Sequence, residues 1–232
     1  MKLVVGIQTC ERLAFLKKCI MSIEKYQPEL LDCYFIIGDD ASKNKEVDNY
    51  INSLNFVNSF IKNKERKGIS ITLKRIIEEA MPNGDMFLYI QNDFHLRRTI
   101  DLQAIEDFFN QTDAAHLRLM RNKGLPGTKK RFAGINNLAT RKKVSELENF
   151  KIREEQFTRG TWSWSDYPSF TPMKCLKWVF KNFDENNVPK RPEPKRAKNF
   201  QVFKDSIYTL DPQPFWNSDP NGAKNITKGK KK

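Results

Sequence analysis

The sequence predicts an α/β fold, a mostly parallel central sheet flanked by helices, and three observations carry that prediction. Apolar runs of strand length recur at residues 3–7, 34–37 and 86–90. Segments with helical periodicity lie between them: Leu13, Leu16, Ile20 and Ile23 form one stripe, and Ile69, Leu73, Ile76, Ile77 and Ala80 another. Each run then closes in a cluster of polar side chains. The alternation of strand and helix is that of a βαβ sheet, whose strands are covered on both faces and therefore read as continuous apolar runs.

In chain order, the first run is followed by Gln8-Thr9-Cys10-Glu11-Arg12 and the second by Gly38-Asp39-Asp40-Ala41-Ser42. The third, introduced by Pro82-Asn83-Gly84-Asp85, ends in Gln91-Asn92-Asp93. Ligands of open parallel sheets bind outside the carboxyl ends of the strands, so the three polar ends are expected to converge on one crevice. Leu102, Ile105, Phe108 and Phe109 then suggest a helix, and residues 116–120 alternate like a half-exposed strand. Residues 121–131 set Gly124, Pro126 and Gly127 among five basic side chains and read as a cationic loop. Residues 159–168 place Trp162, Trp164 and Tyr167 around the carboxylate of Asp166. Thr171-Pro172 offers a cap and first position for a helix carrying Met173, Leu176, Phe180 and Phe183. From residue 188 onward, Pro189, Pro192 and Pro194 alternate with basic residues, a tail from which residues 200–208 are expected to return as an edge strand.

Composition narrows the function. At 232 residues the chain is long enough for one domain with a sizeable core, and 12% aromatic residues argue against general disorder despite a mean hydropathy of -0.66. Forty-one Lys and Arg against 28 Asp and Glu give a net charge of +13, which favours a polyanionic partner, nucleic acid or an acidic membrane face; lysines that are only solvated are the alternative. Cys10, Cys19, Cys33 and Cys175 have no CxxC spacing, and His95 and His116 are the only imidazoles, so a zinc site is not expected. The N-terminal run breaks at Gln8 and does not read as a signal peptide, and no run reaches transmembrane length. A cytoplasmic protein in a reducing compartment is expected, in which the sequons at Asn110 and Asn225 carry no meaning.

The ordered landmarks resemble a known family. The chain is similar to GT-A fold glycosyltransferases of the family 2 type, in which a strand leads through Pro-Thr-Tyr-Asn-Arg into a helix beginning Leu-Lys-x-Cys-Leu-x-Ser-Ile. Here the corresponding run is Gln8-Thr9-Cys10-Glu11-Arg12, continuing into Leu16-Lys17-Lys18-Cys19-Ile20-Met21-Ser22-Ile23. The family's Asp-Asp-Gly-Ser is matched by Asp39-Asp40-Ala41-Ser42, its Asn-Lys-Gly by Asn63-Lys64-Glu65-Arg66-Lys67-Gly68, and its Asp-x-Asp by Gln91-Asn92-Asp93. The resemblance covers roughly the first hundred residues and fades beyond Asp93.

What it implies is transfer of a sugar from a nucleotide diphosphate donor, a UDP-sugar foremost, to a hydroxyl. Residues 1–112 would be the donor-binding half, 113–187 the acceptor half of the same domain, and 188–232 a basic C-terminal segment. Asp93 would hold Mg²⁺ or Mn²⁺ against the diphosphate, with the neutral Gln91 in place of the first Asp weakening that site. Thr9 with Asp39 or Asp40 would hold the nucleotide and Arg12 would face the diphosphate, with Gln91 and Asn92 beside it. A turn at Asp39 and a helix cap at Thr9 are the structural alternatives. Arg121, Lys123, Lys129, Lys130 or Arg131 would assist the phosphates.

If the transfer inverts stereochemistry, Asp166 is the candidate base, with Glu154 and Glu155 in reserve; the alternative for Asp166 is a turn cap within a core aromatic cluster. The acceptor favoured by the +13 charge is DNA, with a hydroxymethylated base stacked on Trp162 and Trp164 and the backbone held by the basic loop, a chemistry known among bacteriophage enzymes. An envelope polysaccharide or lipid transferase and a non-catalytic nucleic-acid-binding module are the rivals. No protein partner is expected.

Overall fold

The apolar runs form the strands that their patterning predicts. The computed structural model describes residues 1–119, 148–159, 167–180, 207–211 and 214–217. Its first part runs β1 Leu3–Thr9, α1 Leu13–Tyr26, β2 Tyr34–Asp39, α2 Lys45–Asn52, β3 Ser59–Lys62, α3 Ile69–Ala80 and β4 Met86–Gln91. After these come β5 Phe94–Leu96, α4 Leu102–Gln111, β6 His116–Arg118, β7 Glu148–Ile152, β8 Glu155–Arg159, β9 Ser169–Pro172, α5 Met173–Phe180, β10 Ile207–Asp211 and β11 Phe215–Asn217.

Among the described residues nine strands form one sheet in the order β3-β2-β1-β4-β9-β6-β10-β8-β7. Strands β3, β2, β1 and β4 are mutually parallel, while β9 runs antiparallel to both of its neighbours, β4 and β6. Every residue of β1 is buried, because β1 lies between β2 and β4 and is covered on both faces. One face carries Val5, Ile7, Phe35, Leu88 and Ile90, packed with Leu16, Ile20 and Ile23 of α1 and Phe108 of α4. The other carries Val4, Ile36, Phe87 and Tyr89 against Leu73, Ile76 and Ile77 of α3 and Leu176 and Val179 of α5. Each such fully buried aliphatic side chain contributes roughly 1.5–3 kcal/mol.

Two glycines let α3 lie close on the sheet. A Cβ at Gly6 would sit 2.5 Å from the Phe87 ring and 2.7 Å from Ile76, and one at Gly38 would sit 2.5 Å from Ile76.

Several sequence expectations are corrected. Residues 116–118 are buried throughout, not half-exposed, because β6 sits inside the sheet between β9 and β10. The expected edge strand near residue 208 is β10, an interior strand parallel to β6 and antiparallel to β8. Thr171 and Pro172 end β9 instead of opening a helix, and α5 begins at Met173. β11 pairs with β5 in a separate two-stranded sheet, so chain from beyond residue 188 is built into both sheets.

Candidate functional site

The carboxyl ends of β1, β2 and β4 converge as expected, since these strands are neighbours in the order β2-β1-β4. The ladder continues one step beyond them: the amides of Asp40, Asn92 and Asn63 donate to the carbonyls of Thr9, Gln8 and Asp39, each at 3.0 Å. Immediately after, the backbone enters the left-handed region at Glu11 (φ 56°) and Ala41 (φ 58°). Each such non-glycine residue costs about 1–2 kcal/mol, so both loops are held in a shape that surrounding bonds must enforce.

Those bonds come from the polar clusters singled out in the sequence. Asp39 is fully buried (0% exposed), and its two carboxylate oxygens accept the Ser42 amide, at 2.8 Å, and the Ser42 hydroxyl. Burial pushes the Asp39 carboxyl above its usual range, and the bonds from Ser42 oppose that shift. Asp40 accepts Asn63 Nδ2 at 2.9 Å, the Lys67 amide at 2.8 Å and the Gly68 amide at 2.9 Å, tying the entry of α3 to the end of β2. Gly68 opens that helix with φ 86°, a conformation that costs glycine little. Thr9 Oγ1 accepts Asn92 Nδ2 at 2.8 Å, joining β1 to the loop after β4.

Three contributors were not singled out from the sequence. Glu11 receives the amides of Lys43 at 2.8 Å and Asn44 at 3.4 Å, and pairs with Arg66 at 3.3 Å. Burial opposes ionisation of Glu11, but these donors outweigh it and hold the carboxyl below its usual range. Gln8 spans the crevice floor, accepting Tyr89 Oη at 2.6 Å and donating to the Ile69 carbonyl at 3.2 Å. Asn63 joins Asp40, Thr72 and Arg75. All three stand inside or beside the quoted landmark runs, but nothing in their spacing reveals their partners.

At the mouth, Asp93 Oδ2 lies 3.3 Å from Arg12 Nη1, and the two side chains are 11% and 17% exposed. Arg12 is the N-cap residue of α1, and its guanidinium also lies 4.9 Å from the centre of the Phe15 ring. Gln91 ends β4 opposite Gln8 and brings no charge. A divalent ion expected at Asp93 therefore meets a single carboxylate already paired with a cation. Among the described residues no three His, Cys, Asp or Glu side chains group as metal ligands. The like charge of the guanidinium would oppose a divalent ion bound to that carboxylate. Among the described residues the donor set does not fit the metal.

Next to Asp93 in the chain, Phe94 packs edge-on against Tyr167, with centroids 5.7 Å apart, and the centre of the Tyr167 ring lies 5.6 Å from the guanidinium of buried Arg118. Asp166, Trp162 and Trp164 precede Tyr167 but lie outside the described residues, as do Arg121, Lys123, Lys129, Lys130 and Arg131. The reserve bases are corrected. Glu155 is gripped by Arg98 through two 2.7 Å bonds and also accepts the Asp101 amide at 3.2 Å, so its carboxylate is a structural brace. Glu154, 91% exposed, pairs with Lys151 beside the turn between β7 and β8, away from the converging strand ends.

No family profile and no curated protein sequence matches the chain. Its backbone superposes on S. aureus TarS with a TM-score of 0.66 at 14% identity, over 94% of this chain and 37% of that one. S. aureus TarS 1–349 in complex with UDP-GlcNAc matches with a TM-score of 0.61 at 14% identity, over 93% of this chain and 57% of that one. GalNAc-T7 with UDP, GalNAc and Mn²⁺ matches with a TM-score of 0.60 at 11% identity, over 90% and 42%. The chain thus spans between 37% and 57% of these three structures. The fold is the GT-A glycosyltransferase fold, as the sequence landmarks imply.

Proposed function

We propose that this GT-A fold is a nucleotide-sugar-dependent glycosyltransferase whose donor lies across the carboxyl ends of β1, β2 and β4. The observation that carries the reading is the convergence of those three strand ends on one crevice with Arg12 and Asp93 side by side at its mouth. Solved structures of the same fold that hold UDP-GlcNAc or UDP support a UDP-sugar as donor.

Thr9 and Asp40 form the wall that meets the nucleoside. Asp39 acts through Ser42 by fixing the loop after β2, and Asn92 fixes Thr9. In the transfer, the acceptor hydroxyl oxygen bonds to the anomeric carbon as the bond to the β-phosphate oxygen breaks. The electron pair of that bond stays on the diphosphate, and cationic side chains offset the charge gathering there. The acceptor proton passes to a base, for which Asp166 is our assignment; it precedes in sequence Tyr167, whose ring packs on Phe94.

The acceptor we propose is a hydroxymethylated pyrimidine in DNA, within the cytoplasm. Support comes from the +13 charge and from the basic run at 121–131 followed by Trp162 and Trp164, which suit backbone phosphates and a stacked base. No helix among the described residues is long and apolar enough to cross a membrane.

The test is a panel of nucleotide sugars incubated with and without DNA containing 5-hydroxymethylcytosine, following released nucleotide and DNA mass. A DNA mass gain that is lost in Asp93→Ala is expected. Donor turnover without a DNA mass change would move the acceptor elsewhere, and silence across the panel would overturn the transferase.

A further inference from the structure

Resting on that donor reading, we propose that Arg12 takes the place of a divalent cation at the donor diphosphate, so that this chain binds its nucleotide without metal. The first observation is that the Asp93 carboxylate at the mouth is already paired with a cation: its Oδ2 sits 3.3 Å from Arg12 Nη1. The second is the chemistry of the neighbouring position, where Gln91 supplies an amide instead of a second carboxylate. The third is that Arg12 is held firmly. Its carbonyl accepts the amides of Phe15 at 3.1 Å and Leu16 at 3.0 Å, and its guanidinium rests 4.9 Å from the centre of the Phe15 ring.

A planar guanidinium matches phosphate oxygens in geometry and can donate two parallel bonds to them. At the first turn of α1 it stands where the helix N-terminus adds positive potential of its own. A diphosphate entering the crevice would exchange the Asp93 carboxylate for its own oxygens as the partner of Arg12. Asp93 then acts as a positioning residue, keeping the guanidinium aimed at the mouth until donor arrives. The like charge of Arg12 is what disfavours a metal ion beside Asp93.

The experiment is calorimetric titration of UDP into the full chain, first in EDTA and then with Mn²⁺, on wild type, Arg12→Ala, Arg12→Lys and Asp93→Asn. Thermal melts of each variant separate misfolding from loss of binding. Equal affinity with and without Mn²⁺ is expected. Arg12→Ala should weaken binding by about 10- to 100-fold, the worth of a hydrogen bond to a charged group. Arg12→Lys should recover part of that loss, and Asp93→Asn should weaken binding less than Arg12→Ala and equally with and without Mn²⁺, as a residue that only aims the guanidinium would. UDP binding that appears only with Mn²⁺ and vanishes in Asp93→Asn would overturn the role of Arg12 while leaving the donor reading intact. Failure of UDP, GDP, ADP, CDP and dTDP to bind with or without Mn²⁺ would instead overturn the donor reading itself.

Discussion

The Glu11 amide donates to Ser42 Oγ at 2.6 Å, fastening the loop after β1 to the loop after β2 across 31 residues of sequence. Ser42 in turn donates from its hydroxyl and amide to Asp39. One hydroxyl therefore holds both left-handed loops of the crevice. Ser42→Ala would orphan the Glu11 amide and one Asp39 oxygen, at a cost of about 2–4 kcal/mol. Urea unfolding should show that loss together with weakened nucleotide binding, because Arg12 follows Glu11 directly. Unchanged stability would mean that the loops hold their shape without this bond.

Gly6→Ala should destabilise by about 1–3 kcal/mol, the usual cost of forcing atoms into a filled core. Its Cβ would lie 2.5 and 2.6 Å from two atoms of the rigid Phe87 ring. Adding Phe87→Leu should recover part of the loss, and a double variant no more stable than Gly6→Ala would contradict the packing account.

Stability should fall on acidification because of His116. Burial first, and the nearby Arg118 charge second, push its imidazole down to about 3, and Nδ1 lies 2.8 Å from Thr171 Oγ1. The folded pKa is below the unfolded value, so the unfolded chain binds more protons between about pH 3 and 6.5, and stability drops as pH falls through that window. The slope is about 1.4 kcal/mol per pH unit for this one group. Asp39, raised by burial, has the opposite sign: its contribution falls as pH rises through its folded value. Comparing wild type with His116→Gln by urea midpoint from pH 4 to 7 isolates the histidine. Parallel curves would remove it as the cause.

Glu155→Ala should cost about 3 kcal/mol, near the lower end for breaking a buried ion pair because Arg98 remains 26% exposed. Nucleotide affinity should not change in the surviving folded protein. A variant that melts normally but loses turnover would restore Glu155 as a base.

How much of this was legible differs between floor and walls. β1, β2 and β4 announced themselves because strands buried on both faces need unbroken apolar side chains, and their polar ends marked Thr9, Arg12, Asp39, Asp40, Asn92 and Asp93. β3 escaped notice because an edge strand of three half-exposed residues ending in the exposed Lys62 carries no such signature. The pairing within the crevice was hidden for another reason. Asp40 meets Lys67 and Gly68, and Glu11 meets Lys43 and Asn44, through backbone amides, which every residue possesses and no side-chain pattern records. β6 misled because alternation of polar and apolar residues ordinarily means one wet face, whereas His116 and Arg118 are polar and buried alike.

The place of β10 sets an order of assembly. Its neighbours β6 and β8 are made long before it, yet the sheet has a gap between them until residues 207–211 arrive. β11 similarly reaches back to cover β5, the strand that follows Asp93. A nascent chain can build the half that carries β1, β2 and β4 early from local strand and helix pairs. The half beyond β6 must wait for chain made more than a hundred residues after Asp93, and such non-local closure is slow. During synthesis the protein would therefore hold a nearly finished crevice beside an unclosed sheet, exposing strand edges that favour aggregation until the last strands insert.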